Sequence, residues 1–236
     1  RAEEYYKKSL ELNPNDADHL GNYANFLVDI RKDSDRAEEY YKKSLELNPN
    51  DADHLGNYAN FLVDIRKDSD RAEEYYKKSL ELNPNDADLL GNYANFLADI
   101  RKDYDRAEEY YRKSLELNPN DADHLGNYAV FLNDIRKDYD RAEEYYKKSL
   151  ELNPNNGDNL GNYAGFLLAR GDNSGFDLLQ KALELNRDGF NKSLSLELLF
   201  YEFAHTHDND SRKASLSQIK ILLREGARSP GWNFAD

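Results

Sequence analysis

Three of the five histidines in this 236-residue chain, His19, His54 and His124, recur at equivalent places, and recurrence of a ligand-type residue invites a metal reading. Zinc ligands must all lie about 2.1 Å from one ion. Equivalent positions on successive elements are expected two helix packings apart, each roughly 8–10 Å. These three histidines therefore cannot share an ion. His205 and His207, beside Asp208 and Asp210, form the densest ligand-type cluster; a frayed, exposed helix end is its simpler reading. With no cysteine, thiolate catalysis, disulfides and cysteine-ligated zinc are excluded.

Asp and Glu number 46, but abundance is not a site. Catalytic carboxylates work as pairs whose environments push their pKa values apart. Asp53 and Asp64 read as solvated, Asp68 and Asp70 as helix caps. Asp70 has Glu73 three residues on, the spacing of a capping box. The glycine-bearing "LGNYAGF" at Leu160–Phe166 has neither a preceding strand nor a phosphate-binding lysine. No catalytic residue, cofactor site or metal site is expected, and the chain is read as a non-enzyme.

The elements behind these residues come from a period of 35. Arg1–Asp35 and Arg36–Asp70 are identical; Arg71–Asp105 departs only at Leu89, Ala98 and Tyr104; Arg106–Asp140 departs at Arg112, Val130, Asn133 and Tyr139. Each unit contains two helical patterns. In one, Ala72, Tyr76, Ser79 and Leu80 share a face, Glu73 and Glu74 precede Lys77 and Lys78 by four residues, and Pro84 ends the helix near Asn83. The other runs over about Asp51–Ile65, with Leu55, Tyr58, Ala59 and Leu62 as its apolar stripe. Asp53, Gly56, Asn57, Asn60 and Asp64 lie opposite, and His54, Phe61 and Ile65 form a shoulder for a neighbouring unit. Gly56 costs about 1 kcal/mol in a helix interior. Close approach of the next unit's helix is the favoured return; a segment bound in a groove is the other.

These residues resemble tetratricopeptide repeats. That family places a small residue, an aromatic four later, a small residue three further on and a proline five beyond; Ala72, Tyr76, Ser79 and Pro84 fit. Its first helix places a large residue before a large–small pair, as in Leu55, Tyr58 and Ala59. The resemblance covers residues 1–186 and implies an all-α, right-handed α-solenoid of stacked antiparallel helix pairs. The family's usual period is 34. The surplus residue falls near Ile100–Lys102 and is read as a longer helix end or turn. A 35-residue period also resembles pentatricopeptide repeats, which bind RNA. Those arrays are usually basic, whereas Arg36–Asp70 holds five basic and eight acidic residues.

Residues 187–236 are read as a helical C-terminal cap with helices over about Lys192–Thr206 and Ser211–Glu225. "REGARSPGWNFAD" resembles the close of certain bacterial tetratricopeptide-like proteins. Trp232 and Phe234 are read as a lid folded onto the last helices, with an exposed docking motif as the alternative. There is no methionine, so Arg1 is read as the start of a trimmed piece.

Function is expected on the concave face. The repeat aligns the amides Asn22, Asn57, Asn92 and Asn127, the amides Asn25, Asn60 and Asn95, and the acids Asp29, Asp64, Asp99 and Asp134. Amides both donate and accept, which suits the backbone of an extended peptide, and the aspartates favour a basic one. The alternative is that the amides are solvated or bond neighbouring helices. As groove residues rather than core, Asn60→Ala, and the triple change of Asn25, Asn60 and Asn95 to alanine, are expected to cost little stability. A net charge of −14 repels phosphate backbones and anionic lipid. The expected role is a cytoplasmic protein-interaction scaffold whose partner is a protein or peptide, with no nucleic acid and no membrane. A rival reading is end-to-end self-association through the face of Ala2, Tyr6, Ser9 and Leu10.

Overall fold

The computed structural model describes residues 1–186 and 192–227. Every regular element among them is helical. The chain divides into two compact units, Arg1–Pro119 and Asn120–Asp236. The first holds α1 (Ala2–Leu12), α2 (Ala17–Phe26), α3 (Ser34–Leu47), α4 (Ala52–Phe61), α5 (Ser69–Leu82), α6 (Ala87–Phe96) and α7 (Tyr104–Leu117). The second holds α8 (Ala122–Phe131), α9 (Tyr139–Leu152), α10 (Gly157–Ala169), α11 (Gly175–Leu185), α12 (Lys192–His205) and α13 (Asn209–Arg224). In the first unit α2 pairs with α3, α4 with α5 and α6 with α7; in the second, α8 pairs with α9, α10 with α11 and α12 with α13. Within each unit the antiparallel pairs stack in chain order, the construction of an α-solenoid. Trp232 and Phe234 lie outside the described residues.

The apolar stripes are the core. Leu55, Tyr58, Ala59 and Leu62 of the second pair are buried, as are Ala72, Tyr76 and Ser79 of the helix facing them. Aromatic rings carry packing from one pair to the next. Tyr41 lies 5.4 Å from Tyr58 and 5.5 Å from Phe61 between ring centroids, within the range where offset and tilted rings attract. Ser79 Oγ donates to the carbonyl of Ala52 at 2.6 Å, pinning α5 to the start of α4.

Helix starts follow local chemistry, with one correction. Asp51 caps α4 by accepting from the His54 amide at 3.0 Å. The cap of α5 is Asp68, which accepts from the Arg71 amide at 3.3 Å. Asp70 sits inside the first turn and instead pairs with Arg101 at 2.7 Å. Glu73 does not reach back to complete a capping box; its carboxylate receives Arg101 Nε at 2.7 Å and Lys77 Nζ at 2.7 Å. Arg66 repeats this one unit earlier, with Asp35 and Glu38 each at 2.7 Å. A first helix's closing arginine thus clasps the second helix of the preceding pair.

The surplus residue is now located. After Phe61 the helix widens into a π-helical turn, Leu62–Arg66, and the same turn recurs at Leu27–Arg31, Leu97–Arg101 and Leu132–Arg136. A π turn holds one more residue than an α turn before its hydrogen bond closes. Lys67 follows in the left-handed region at φ 57°, its amide donating to the Leu62 carbonyl, to which the Asp68 amide also donates at 2.9 Å. Helix α10 has no such turn and shows the arithmetic. Arg66 stacks 5.5 Å over Phe61, five positions before it, whereas Arg170 stacks 5.5 Å over Phe166, four positions before it. The same stack is reached with one residue fewer.

Candidate functional site

Between α2 and α4 lies an open recess of about 340 Å3, lined by Asn25, Val28, Asp29, Tyr41, Asn57, Asn60, Phe61, Asp64 and Ile65. Five ladder residues, Asn25, Asp29, Asn57, Asn60 and Asp64, therefore share one surface. Of the others, Asn22 and Asp99 are exposed, Asn92 and Asn127 are half-buried, and Asp134 is exposed on the second unit.

Asn25, Asn60 and Asn95 bond the neighbouring helix of their own pair, as one branch of the alternative reading had it. Tyr76, 2 % exposed, donates its hydroxyl to Asn60 Oδ1 at 2.5 Å. Tyr41 does the same to Asn25 and Tyr111 to Asn95, both at 2.5 Å. Each bond joins the two helices of one pair and is a partner the sequence did not announce. It also orients the amide: Oδ1 is engaged inside the pair, leaving the Nδ2 hydrogens as the part of the rung available to a ligand. That bond argues against the expectation that Asn60→Ala is nearly silent, because the change would orphan a buried hydroxyl.

The acids add negative charge to the same surface. Asp64 reaches solvent on one side and is crowded by the recess on the other; that desolvation raises its carboxyl pKa, against the opposing charge of Lys67. Asp134 is raised in the same way, with Lys137 and Asn133 opposing. The phenols beside them, Tyr76 near Asp64 and Tyr41 near Asp29, are pushed well above the ordinary tyrosine range, chiefly by burial. They remain neutral donors.

Gly21 and Gly56 are packing glycines. A Cβ on Gly21 would collide with the ring of His54 from the next pair, and one on Gly56 would come 2.9 Å from Leu89 Cδ1. The first helices of successive pairs therefore touch directly, closer than the two packings expected. The His54 ring is buried, with Nδ1 3.0 Å from Ser44 Oγ. Because Ser44 donates its proton to the Ala17 carbonyl at 2.8 Å, His54 is the donor in the shared bond. In α10 the same place holds Asn159, whose Nδ2 donates to Ser149 Oγ at 2.6 Å. Asp18, Asp51 and His54 bring one ligand-type atom each within 4.8 Å of one another, but Asp51 is already a helix cap and His54 Nδ1 is already bonded. Among the described residues His205 and His207 join no such cluster, and no helix is long and apolar enough to cross a membrane.

The comparisons with known proteins agree with the repeat fold. The tetratricopeptide repeat profile matches residues 5–39, 40–74 and 75–109, and a second tetratricopeptide profile matches residues 101–157. No protein of curated function matches the sequence. Among solved structures, PilF of Pseudomonas aeruginosa is 23% identical, with 89% of this chain and 93% of that chain aligned at a TM-score of 0.66. PilW, a type IV pilus biogenesis factor, is 16% identical over 88% of this chain and 94% of its own, at 0.73. YrrB, described as having an unusual peptide-binding site, is 24% identical over 78% and 93%, at 0.52. At these identities the likeness is one of fold.

Proposed function

Because the chain belongs to the tetratricopeptide repeat family, we propose that it is a non-catalytic scaffold binding an extended, basic peptide along α2, α4 and α6. The carrying observation is the recess in which Asn25, Asn57 and Asn60 stand beside Asp29 and Asp64. The tyrosine-held amides turn N–H donors to the ligand and would take its main-chain carbonyls. The aspartates would take lysine or arginine side chains. The same chemistry continues to Asn92, Asn95 and Asp99; the second unit carries its own Asn127 and Asp134. A partner protein would be recognised through such a segment, in the cytoplasm, and no nucleic acid or membrane is needed.

The contacts would be solvent-exposed and screened within about 8–10 Å at physiological salt, so the affinity is modest and salt-sensitive. The direct test is titration calorimetry with a lysine-rich peptide and a glutamate-rich peptide of equal length. The lysine peptide should bind, weaken as salt rises, and lose most of its affinity to the variant Asp29→Ala/Asp64→Ala/Asp99→Ala. Equal binding of both peptides, or full affinity in the triple variant, refutes the reading.

A further inference from the structure

The recess between α2 and α4 has a counterpart in the second unit, and the counterpart is filled. Three periods of 35 residues carry Asn25 to Val130, Asp29 to Asp134, Tyr41 to Tyr146, Asn60 to Gly165 and Phe61 to Phe166. Against that second set lies Tyr201 of α12. A Cβ on Gly165 would meet Tyr201 Cζ at 2.9 Å and its hydroxyl oxygen at 3.1 Å, so the phenol head rests on the glycine. The half-buried ring packs on the cluster of Leu160, Ala164 and Leu168. Burial raises the Tyr201 hydroxyl, and Asp134 adds to the rise; Asp134 and Tyr201 in turn act on Tyr146. The chain thus places one of its own tyrosines beside the ladder acid.

We infer that the recess between α2 and α4 is a side-chain pocket for a tyrosine of a bound segment, seated between Asn25, Asn60 and Phe61 with its hydroxyl donating to Asp29. This rests on the reading that a peptide lies in the groove. Three features fit the occupant. The recess, about 340 Å3, is near the lower end of the ~300–1,000 Å3 of small-ligand pockets. Asn60 is drawn toward Tyr76 by its hydrogen bond, clearing the place that Gly165 must leave empty because a whole helix presses there. Two carboxylates favour a neutral phenol donor over any acidic group. They also exclude a phosphotyrosine, which brings about −1.5 to −2 charges.

The test uses the full chain and one family of blocked heptapeptides, Lys-Gly-Lys-X-Lys-Gly-Lys, with X as Tyr, Phe, Ala or phosphotyrosine. Tyr should bind about tenfold or more tighter than Ala, the return for burying an aromatic ring. Tyr should exceed Phe by roughly three- to tenfold, the return for one hydrogen bond, and phosphotyrosine should abolish binding. In Asp29→Ala/Asp64→Ala the gap between Tyr and Phe should close. If the Ala peptide binds as tightly as the Tyr peptide and still depends on Asp29 and Asp64, the pocket is refuted while the groove stands. If no peptide binds at millimolar concentration, both are refuted.

Discussion

The bond from Tyr76 to Asn60 makes a quantitative test of how the groove is built. Tyr76 is 2 % exposed and its hydroxyl donates at 2.5 Å. Asn60→Ala strands that hydroxyl, a loss of about 1–3 kcal/mol. Tyr76→Phe removes the donor, but Asn60 is only half-buried and its oxygen regains water, so the loss is about 0.5–1.5 kcal/mol. Once the hydroxyl is gone the amide has nothing left to satisfy. The double variant should therefore resemble Tyr76→Phe alone, leaving a coupling as large as the Asn60→Ala loss itself, about 1–3 kcal/mol. Asn60→Asp, which keeps an acceptor, should be milder than Asn60→Ala. The assay is urea unfolding followed by circular dichroism, reading the midpoint at an unchanged slope. Additive single effects, or an Asn60→Ala midpoint equal to the wild type, would show that the amide does not serve the tyrosine.

Other outcomes follow from packing, backbone and charge. Gly21→Ala, which meets the buried His54 ring, should lower the urea midpoint by about 1–3 kcal/mol equivalent; Gly56→Ala meets only a movable Leu89 methyl and should be close to neutral, its gain of about 1 kcal/mol in helix propensity offsetting the crowding. Lys67→Gly at φ 57° relieves about 1–2 kcal/mol of left-handed strain against about 0.4–1 kcal/mol of added unfolded-state freedom, so a small rise in melting midpoint is expected and a clear fall would contradict the cap. Burial would raise the Glu73 carboxyl, but the Lys77 hydrogen bond and charge and the Arg101 charge outweigh it and hold the pKa below its ordinary 4.5. Its contribution is complete above about pH 4.5 and is lost as pH falls through the lower folded value, so the acid-side fall in urea midpoint should be shallower in Glu73→Gln.

Much of this was legible from spacing alone. Periodicity located the apolar faces of Leu55, Tyr58, Ala59, Leu62, Ala72 and Tyr76, because burial of a helix stripe is a local, repeating demand. The same pattern placed Asn25, Asp29, Asn57, Asn60 and Asp64 together. It did not show that Tyr76 would spend its hydroxyl on Asn60, since that bond depends on how two helices are turned toward each other. Nor could spacing choose between Asp68 and Asp70 as the cap; the left-handed Lys67 moves the helix start back by two residues and hands Asp70 to Arg101. The period of 35 announced a surplus residue near Ile100–Lys102, but only the shared ring stacks of Arg66 and Arg170 show it absorbed inside the helix.

The direct contact between successive first helices has a consequence for how the gene can vary. From α2 to α6 each step between pairs reuses one set of parts, a glycine opposite a bulky residue and an arginine clasp, and each pair holds its amide with a tyrosine. Excising or duplicating a whole 35-residue block there joins surfaces that already match, so the array can change length by whole steps, each step adding or removing one rung of the groove. Beyond Arg106 this freedom ends. Gly165 is fitted to Tyr201, and loss of the 35-residue block that carries it would leave Tyr201 facing Val130 where it now rests on a glycine. One end of the chain is a counter that recombination can advance or set back; the other is its fixed stop.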